Sequence, residues 1–186
     1  MSNSSSSLSG RPQRASLLDV DPGRFRYSAW RNVTIGVWTN QATAEAAQRI
    51  LRISKFMARE HPSGHSSVVF VLDGAPAPTP EANVALGKLY DTKFSDLACM
   101  AIVVEGGGFW ASRIRSTITG LLISSPEAVV QMRVSDSIQG VVDWLPFAHS
   151  KRTGIAITAA ELKAALTATR ELASEDNGDI PLVKRP

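Results

Sequence analysis

Cysteine and histidine are scarce in this chain of 186 residues, which contains one cysteine and three histidines. The single cysteine, Cys99, excludes an internal disulfide and agrees with a reducing compartment. Because Cys99 lies in an apolar stretch, we expect a buried, inert thiol rather than a nucleophile. His61 and His65 flank a proline and a glycine without a nearby cysteine or carboxylate cluster, so we expect no metal site.

Long apolar runs are also absent. Apolar runs such as residues 68–72 and 101–104 are much shorter than the roughly 20 residues that a membrane-spanning helix needs. The first residues carry neither the contiguous apolar segment nor the small-residue cleavage site of a secretory signal. We therefore expect a soluble, cytoplasmic protein without a membrane partner.

The central part of the chain lacks a strong charge excess. The formal net charge is +3, but residues 1–31 alone hold five arginines against two aspartates, and residues 32–149 are nearly neutral. A nearly neutral central region argues against a nucleic-acid partner. Residues 1–22 are rich in Ser and Arg and poor in apolar side chains, so we interpret them as a disordered arm.

Strand and helix patterns alternate along the rest of the chain. Apolar and polar residues alternate over 24–30 and 33–39, and the polar pair Arg31-Asn32 between them predicts an antiparallel hairpin. Apolar stretches predict further strands at 66–72, 98–104 and 129–134. Helical spacing and capping residues predict helices over 43–60, 80–94, 109–122, 135–145 and 158–173.

This order of elements predicts an α/β fold with a mixed, mostly parallel sheet of about five strands. The hairpin would supply an antiparallel edge, and the helices would pack on the sheet in a single hydrophobic layer. We expect one domain over residues 23–149, a linker and an extra C-terminal helix over 150–174, and a flexible tail over 175–186. Trp30 and Trp38 either pack in the core or form an exposed interaction surface on the hairpin.

Two segments carry a resemblance to a known family. The central strand Val-Val-Phe-Val-Leu-Asp ends at Asp73, and a short strand at Val134 leads into the helix Ser-Asp-Ser-Ile-Gln-Gly-Val-Val-Asp-Trp-Leu. In this order of elements, residues 24–145 resemble STAS domains, the anti-sigma-factor-antagonist fold. The resemblance implies a non-enzymatic, bacterial-type regulatory module that binds a protein partner through the loop after the central strand.

The loop itself departs from that family. Residues 75–80, Ala-Pro-Ala-Pro-Thr-Pro, replace the usual Asp-Ser-Ser-Gly phosphorylation loop, and Thr79 is the only hydroxyl residue in this place. Thr79 is either a phosphorylation site at a helix start or a helix cap. The resemblance assigns partner contact to the loop over residues 74–81 and its neighbours, with these candidate residues: Asp73, Gly74, Ala77, Thr79 and Glu81.

A second loop holds three consecutive glycines where a strand meets a helix. The backbone N–H groups of Gly106, Gly107 and Gly108 either form a tight turn or hold an anion together with Arg113. No P-loop lysine follows them, and no catalytic serine or cysteine motif is visible elsewhere. The alternative function is therefore a domain that binds a small ligand or a nucleotide at this turn. We expect no catalytic residues and no cofactor, and an enzyme of unrecognised type ranks last.

Overall fold

A computed structural model of the chain describes residues 15–88, 97–123 and 130–178, apart from the side chains of Trp110 and of residues 117–123 and 176–178. The strands are β1 (Ser16–Asp21), β2 (Phe25–Trp30), β3 (Val33–Trp38), β4 (His65–Val71), β5 (Leu97–Val104) and β6 (Gln131–Ser135). The helices are α1 (Ala44–Glu60), α2 (Pro80–Gly87), α3 (Gly108–Ile123), α4 (Ile138–Val142), α5 (Leu145–Thr153) and α6 (Ala159–Gly178).

The strands form one six-stranded sheet in which they lie in chain order. The first three strands pair antiparallel, and β3, β4, β5 and β6 pair parallel. The predicted hairpin is confirmed, because Trp30 pairs with Val33 across the turn and Arg31 takes a positive φ of 52°. The predicted α/β class and mostly parallel sheet are likewise confirmed, with one strand more than expected.

The additional strand corrects the interpretation of residues 1–22 as a disordered arm. Residues 16–21 form β1 at the sheet edge, while residues 1–14 lie outside the described part of the chain. The side chain of Leu18 packs against the core. Arg49 Nε and Nη2 both donate hydrogen bonds to the carboxylate of Asp19. Leu17 in this strand is exposed, and the register is irregular between Leu17 and Asp19, so its apolar residues do not alternate as in a regular strand.

The structure also differs from the predicted boundaries of the linker and the tail that follow residue 149. Residues 150–153 complete α5, which ends at Gly154 with a positive φ of 72°, rather than belonging to a linker. Helix α6 reaches Gly178 and so includes the first residues of the predicted tail; residues 179–186 lie outside the described part. The predicted capping box is present, since Thr158 Oγ1 accepts from Glu161 N at 3.2 Å and Glu161 Oε2 accepts from Thr158 N at 3.2 Å.

Helices cover both faces of the sheet, which corrects the expectation of a single hydrophobic layer. One core lies between the sheet and α1, α2 and α3; the other lies between the sheet and α4, α5 and α6. The crossover helices share one face because successive right-handed connections advance in one direction along the sheet. The chain after β6 then covers the opposite face. Trp30 and Trp38 are both buried, in different cores.

Among the helices of the described residues, none combines the length and the apolar character that crossing a membrane requires. Cys99 is buried in β5, and burial raises the pKa of its thiol. This agrees with the expectation of an inert packing residue.

Candidate functional site

The structure brings the two predicted binding loops together at the carboxyl edge of the parallel strands. Asp73 follows β4 and Gly106 follows β5, and the Asp73 carboxylate lies so close to Gly106 that a Cβ atom there would overlap it. The carboxyl edge is where open α/β sheets usually bind their ligands. The two loops therefore belong to one surface.

Loop 74–81 is held at several points along its length. Ala75 N donates to Leu72 O at 3.1 Å, Gln41 Nε2 donates to Ala77 O at 2.9 Å, and Thr79 N donates to Ala42 O at 3.0 Å. The side chain of Ala75 is buried, whereas Ala77 is exposed. The loop is thus attached to the connection between β3 and α1.

Thr79 acts as the cap of α2. Its Oγ1 accepts a hydrogen bond from Ala82 N at 3.1 Å, and Pro80 occupies the first helical position. Of the two alternatives for this hydroxyl, the structure therefore shows the helix cap. Phosphorylation of Thr79 stays a prediction.

The three glycines after β5 form a tight turn in which the chain changes direction. Gly106 and Gly108 have φ values of 83° and 72°, which other residues rarely adopt. Arg115 Nη2 donates to Val104 O at 3.2 Å and lies 3.5 Å from Gly106 O, so this cation stabilises carbonyl groups at the turn. The Asp73 carboxylate beside Gly106 opposes the binding of an anion here. Arg113, which follows the glycine turn in α3, is exposed.

A cavity of about 110 Å³ lies beneath loop 74–81, between the sheet and helices α1, α2 and α3; we call it the interior cavity. Most of its lining is apolar, and the sheet wall comes from β2, β3, β4 and β5. The apolar side chains on its walls include Ile50, Ile53, Val69, Val71, Leu86, Met100, Ile102 and Ile114.

The interior cavity opens at the carboxyl edge of the sheet. Of the residues that line it, Asn40 and Pro76 are exposed to solvent, and both lie in the loops that leave β3 and β4. Ala42 and Ala75 lie just inside them and are buried. Loop 74–81 therefore forms one rim of the cavity, in the position where α/β proteins admit small ligands.

Four hydrogen-bonding side chains gather at the inner end of the interior cavity: Thr34, Ser54, His65 and Ser67. Thr34 and Ser67 are register partners on β3 and β4, and His65 precedes Ser67 on the same face of its strand. Ser54 reaches them from α1, with its Oγ 3.4 Å from His65 Nε2. All four are buried.

His65 is a neutral, incompletely paired group. It is 1% exposed, and its Nδ1 has no hydrogen-bond partner within the described part of the chain. Burial, and to a smaller degree the charges of His61 and His149, lower its pKa from 6.5 to about 4. At neutral pH His65 is therefore an uncharged imidazole with one donor and one acceptor nitrogen.

The opposite face of the sheet holds a buried serine, histidine and asparagine in series. Ser66 Oγ lies 2.7 Å from His149 Nδ1, and His149 Nε2 lies 3.0 Å from Asn32 Oδ1. Asn32 Nδ2 in turn donates to Gly64 O at 3.0 Å. Ser66 and His149 are both 0% exposed, so no substrate reaches the hydroxyl. The series ties α5 to β4 and to the hairpin turn.

Sequence reasoning missed both polar groups for the same reason. His65, Ser66 and Ser67 are consecutive, and the alternation of a strand sends Ser66 to one core and its two neighbours to the other. Their partners, Ser54 and His149, come from helices whose placement only the tertiary structure gives. The one available signal was a polar triplet at the start of an otherwise apolar strand.

Within the described residues, no three His, Cys, Asp or Glu side chains come together as ligands for a metal ion. The candidate sites are thus the two loops at the carboxyl edge, the interior cavity and the buried series of Ser66, His149 and Asn32. Comparison of the chain with protein-family models, with curated proteins and with solved structures gives no match.

Proposed function

We propose that this protein is a non-enzymatic binding module that holds a small, mainly apolar molecule in the interior cavity. The observation that carries the proposal is the cavity itself, about 110 Å³ in size and open at the carboxyl edge of the sheet. Protein interiors are normally packed without voids larger than a water molecule. Apolar cavities of about 150 Å³ bind ligands of the size of benzene, so the interior cavity suits a molecule of this class.

Titration of the protein with benzene tests this function. A ligand that binds only the folded state raises the melting temperature in a saturable way. Val69→Phe places a larger side chain on the cavity wall and should abolish this rise. Val84→Phe is the matched control, because it adds the same side chain at a position that is 72% exposed. Absence of a saturable rise in the folded wild-type protein would contradict the proposal.

A second candidate function is contact with a protein partner through the outer side of loop 74–81, as the resemblance to STAS domains implies. The observation that favours it is a fixed loop with an exposed surface: Ala77 and Glu81 face solvent although the loop backbone is held by hydrogen bonds. Two large apolar side chains are exposed nearby in the helices that follow, Val84 in α2 and Phe109 at 83% exposure in α3.

This second function is tested by affinity capture with three forms of the tagged protein. Ala77→Arg should prevent recovery of a stoichiometric partner without lowering the melting temperature, because Ala77 is exposed. Phe147→Asp is the control, since Phe147 is 75% exposed but belongs to α5 on the opposite face. Equal recovery with all three forms would contradict the assignment to this loop. Mass spectrometry of the same samples shows whether Thr79 carries phosphate.

A further inference from the structure

The interior cavity has two chemically different ends. Near its opening the described lining is dominated by apolar groups such as Trp38, Val71 and Ala75. At its inner end lie the polar side chains of Thr34, Ser54, His65 and Ser67. A ligand that matches both ends has an apolar body and one polar group that enters first.

The polar groups at the inner end have unused hydrogen-bonding capacity. Among the described residues, His65 Nδ1 has no hydrogen-bond partner, and Ser67 lines the cavity beside it. Thr34 Oγ1 donates to Ser66 O only at 3.4 Å, and Ser54 Oγ and His65 Nε2 are also 3.4 Å apart. Both distances exceed the usual range for these atoms. Buried polar groups normally have partners, so this cluster is incomplete without a further donor and acceptor.

The cluster selects a neutral polar group. Among the described residues that line the cavity none carries a charge at neutral pH, because burial keeps His65 in its neutral form. A charged carboxylate or ammonium group would lose its hydration there without meeting an opposite charge. A hydroxyl group donates one hydrogen bond and accepts others, which is the capacity that neutral imidazole and hydroxyl side chains can complement.

We infer that the interior cavity binds a small neutral alcohol or phenol, with its hydroxyl hydrogen-bonded to Ser67 and the neighbouring His65 and with its ring or chain against the apolar walls. This inference rests on the proposed function and adds the chemical class of the ligand. The size of the cavity limits the enclosed part to about one six-membered ring. A longer apolar tail can extend past Pro76 toward solvent.

Calorimetric titrations of the full chain with phenol, benzene and benzoate test the inference. The three probes share one ring and differ in the polar group. We expect phenol to bind about fivefold more tightly than benzene, because its hydroxyl completes the cluster, and benzoate not to bind. Tighter binding of benzene or benzoate than of phenol would overturn the alcohol assignment but leave the proposed function intact. If no probe binds, both fail.

Variants of the cluster provide the second arm of the test. Ser67→Ala should weaken phenol binding about fivefold and leave benzene binding unchanged. Thr34→Val, which keeps the side-chain shape, repeats the test if Ser67→Ala does not fold. Thr169→Val is the matched control, because Thr169 is buried in the other core and its hydroxyl donates to Ala165 O at 2.9 Å. Equal weakening by Thr169→Val, or no effect of Ser67→Ala and Thr34→Val on phenol, would overturn the proposed contact.

Discussion

The indole nitrogen of Trp38 donates a hydrogen bond to the Tyr27 hydroxyl at 3.1 Å, while the Tyr27 ring lies across the backbone of Gly36. Both aromatic rings are buried, and both line the interior cavity. The Tyr27 ring can approach β3 this closely only because residue 36 has no side chain. Glycine at this position therefore fixes one wall of the cavity.

Gly36→Ala should lower the free energy of unfolding by about 1–3 kcal/mol, the usual cost of overpacking a core. The new methyl group would overlap the Tyr27 ring, which is buried and cannot move away freely. Urea denaturation measures the change. Gly107→Ala is the control: no atom lies within 4 Å of a Cβ placed there, so its effect should stay within about 0.5 kcal/mol. Equal stability of Gly36→Ala and wild type would contradict this packing.

Acidification should destabilise the protein through its two buried histidines. Burial lowers the pKa of both His65 and His149 from 6.5 to about 4, so the folded protein binds fewer protons than the unfolded chain below pH 6.5. The stability that the protein owes to these two neutral histidines is fully present above pH 6.5 and is lost as the pH falls toward 4. Between pH 7 and pH 5 each histidine should remove about 2 kcal/mol of unfolding free energy.

Urea denaturation at pH 7 and at pH 5 checks this dependence. The change in unfolding free energy between the two pH values should be about half as large in His149→Gln as in the wild type, because one of the two histidines is then absent. A wild-type protein equally stable at both pH values would show that the histidines are not held neutral.

The contact between Arg49 and Asp19 should hold the edge strand β1 in place. Arg49 Nε donates to Asp19 Oδ2 at 2.8 Å, and its Nη2 donates to Asp19 Oδ1 and to Val20 O. Asp19→Asn should lower stability by about 1 kcal/mol and speed hydrogen exchange of the β1 amides. Arg24→Ala, which removes a more exposed pair with Asp21 at 3.6 Å, should change exchange less. The reverse order of effects would contradict this role.

Ser66 should act as a structural residue, although it adjoins a histidine. Ser66→Ala removes the 2.7 Å partner of His149 Nδ1 and should cost about 1–3 kcal/mol, the penalty for a buried polar atom left unpaired. Ser116→Ala, an exposed serine on α3, should cost less than about 0.5 kcal/mol. A serine-directed fluorophosphonate should not label Ser66, because this residue is 0% exposed. Stoichiometric labelling of Ser66 would show that the series is catalytic.

Local patterns in the sequence were sufficient for most elements of the fold. Alternating residues and a polar pair predict the hairpin, and capping residues at Thr79 and Thr158 mark helix starts that the structure contains. Strand β1 was missed because an edge strand is stabilised by its partner strand and by Arg49, not by a strong apolar pattern. The second helical layer was missed because the direction of the chain after β6 is a tertiary property.

The site was less predictable than the fold. Both predicted loops do lie at one edge, which follows from parallel pairing, but the space between them depends on contacts that no local pattern encodes. The interior cavity exists where Tyr27 lies on Gly36 and where loop 74–81 is attached to Gln41 and Ala42. Thr34 and Ser67 meet only through the register of β3 and β4.

Methyl NMR spectra of the protein during a phenol titration show whether a ligand enters the interior cavity. We expect saturable shifts for methyl groups that line the interior cavity, such as those of Ile50, Met100 and Ile114. The methyl groups of Ile35 and Ile157, which lie in the opposite core, should not shift. Shifts of equal size in both cores, or no saturable shift in the first group, would show that phenol does not bind in the interior cavity.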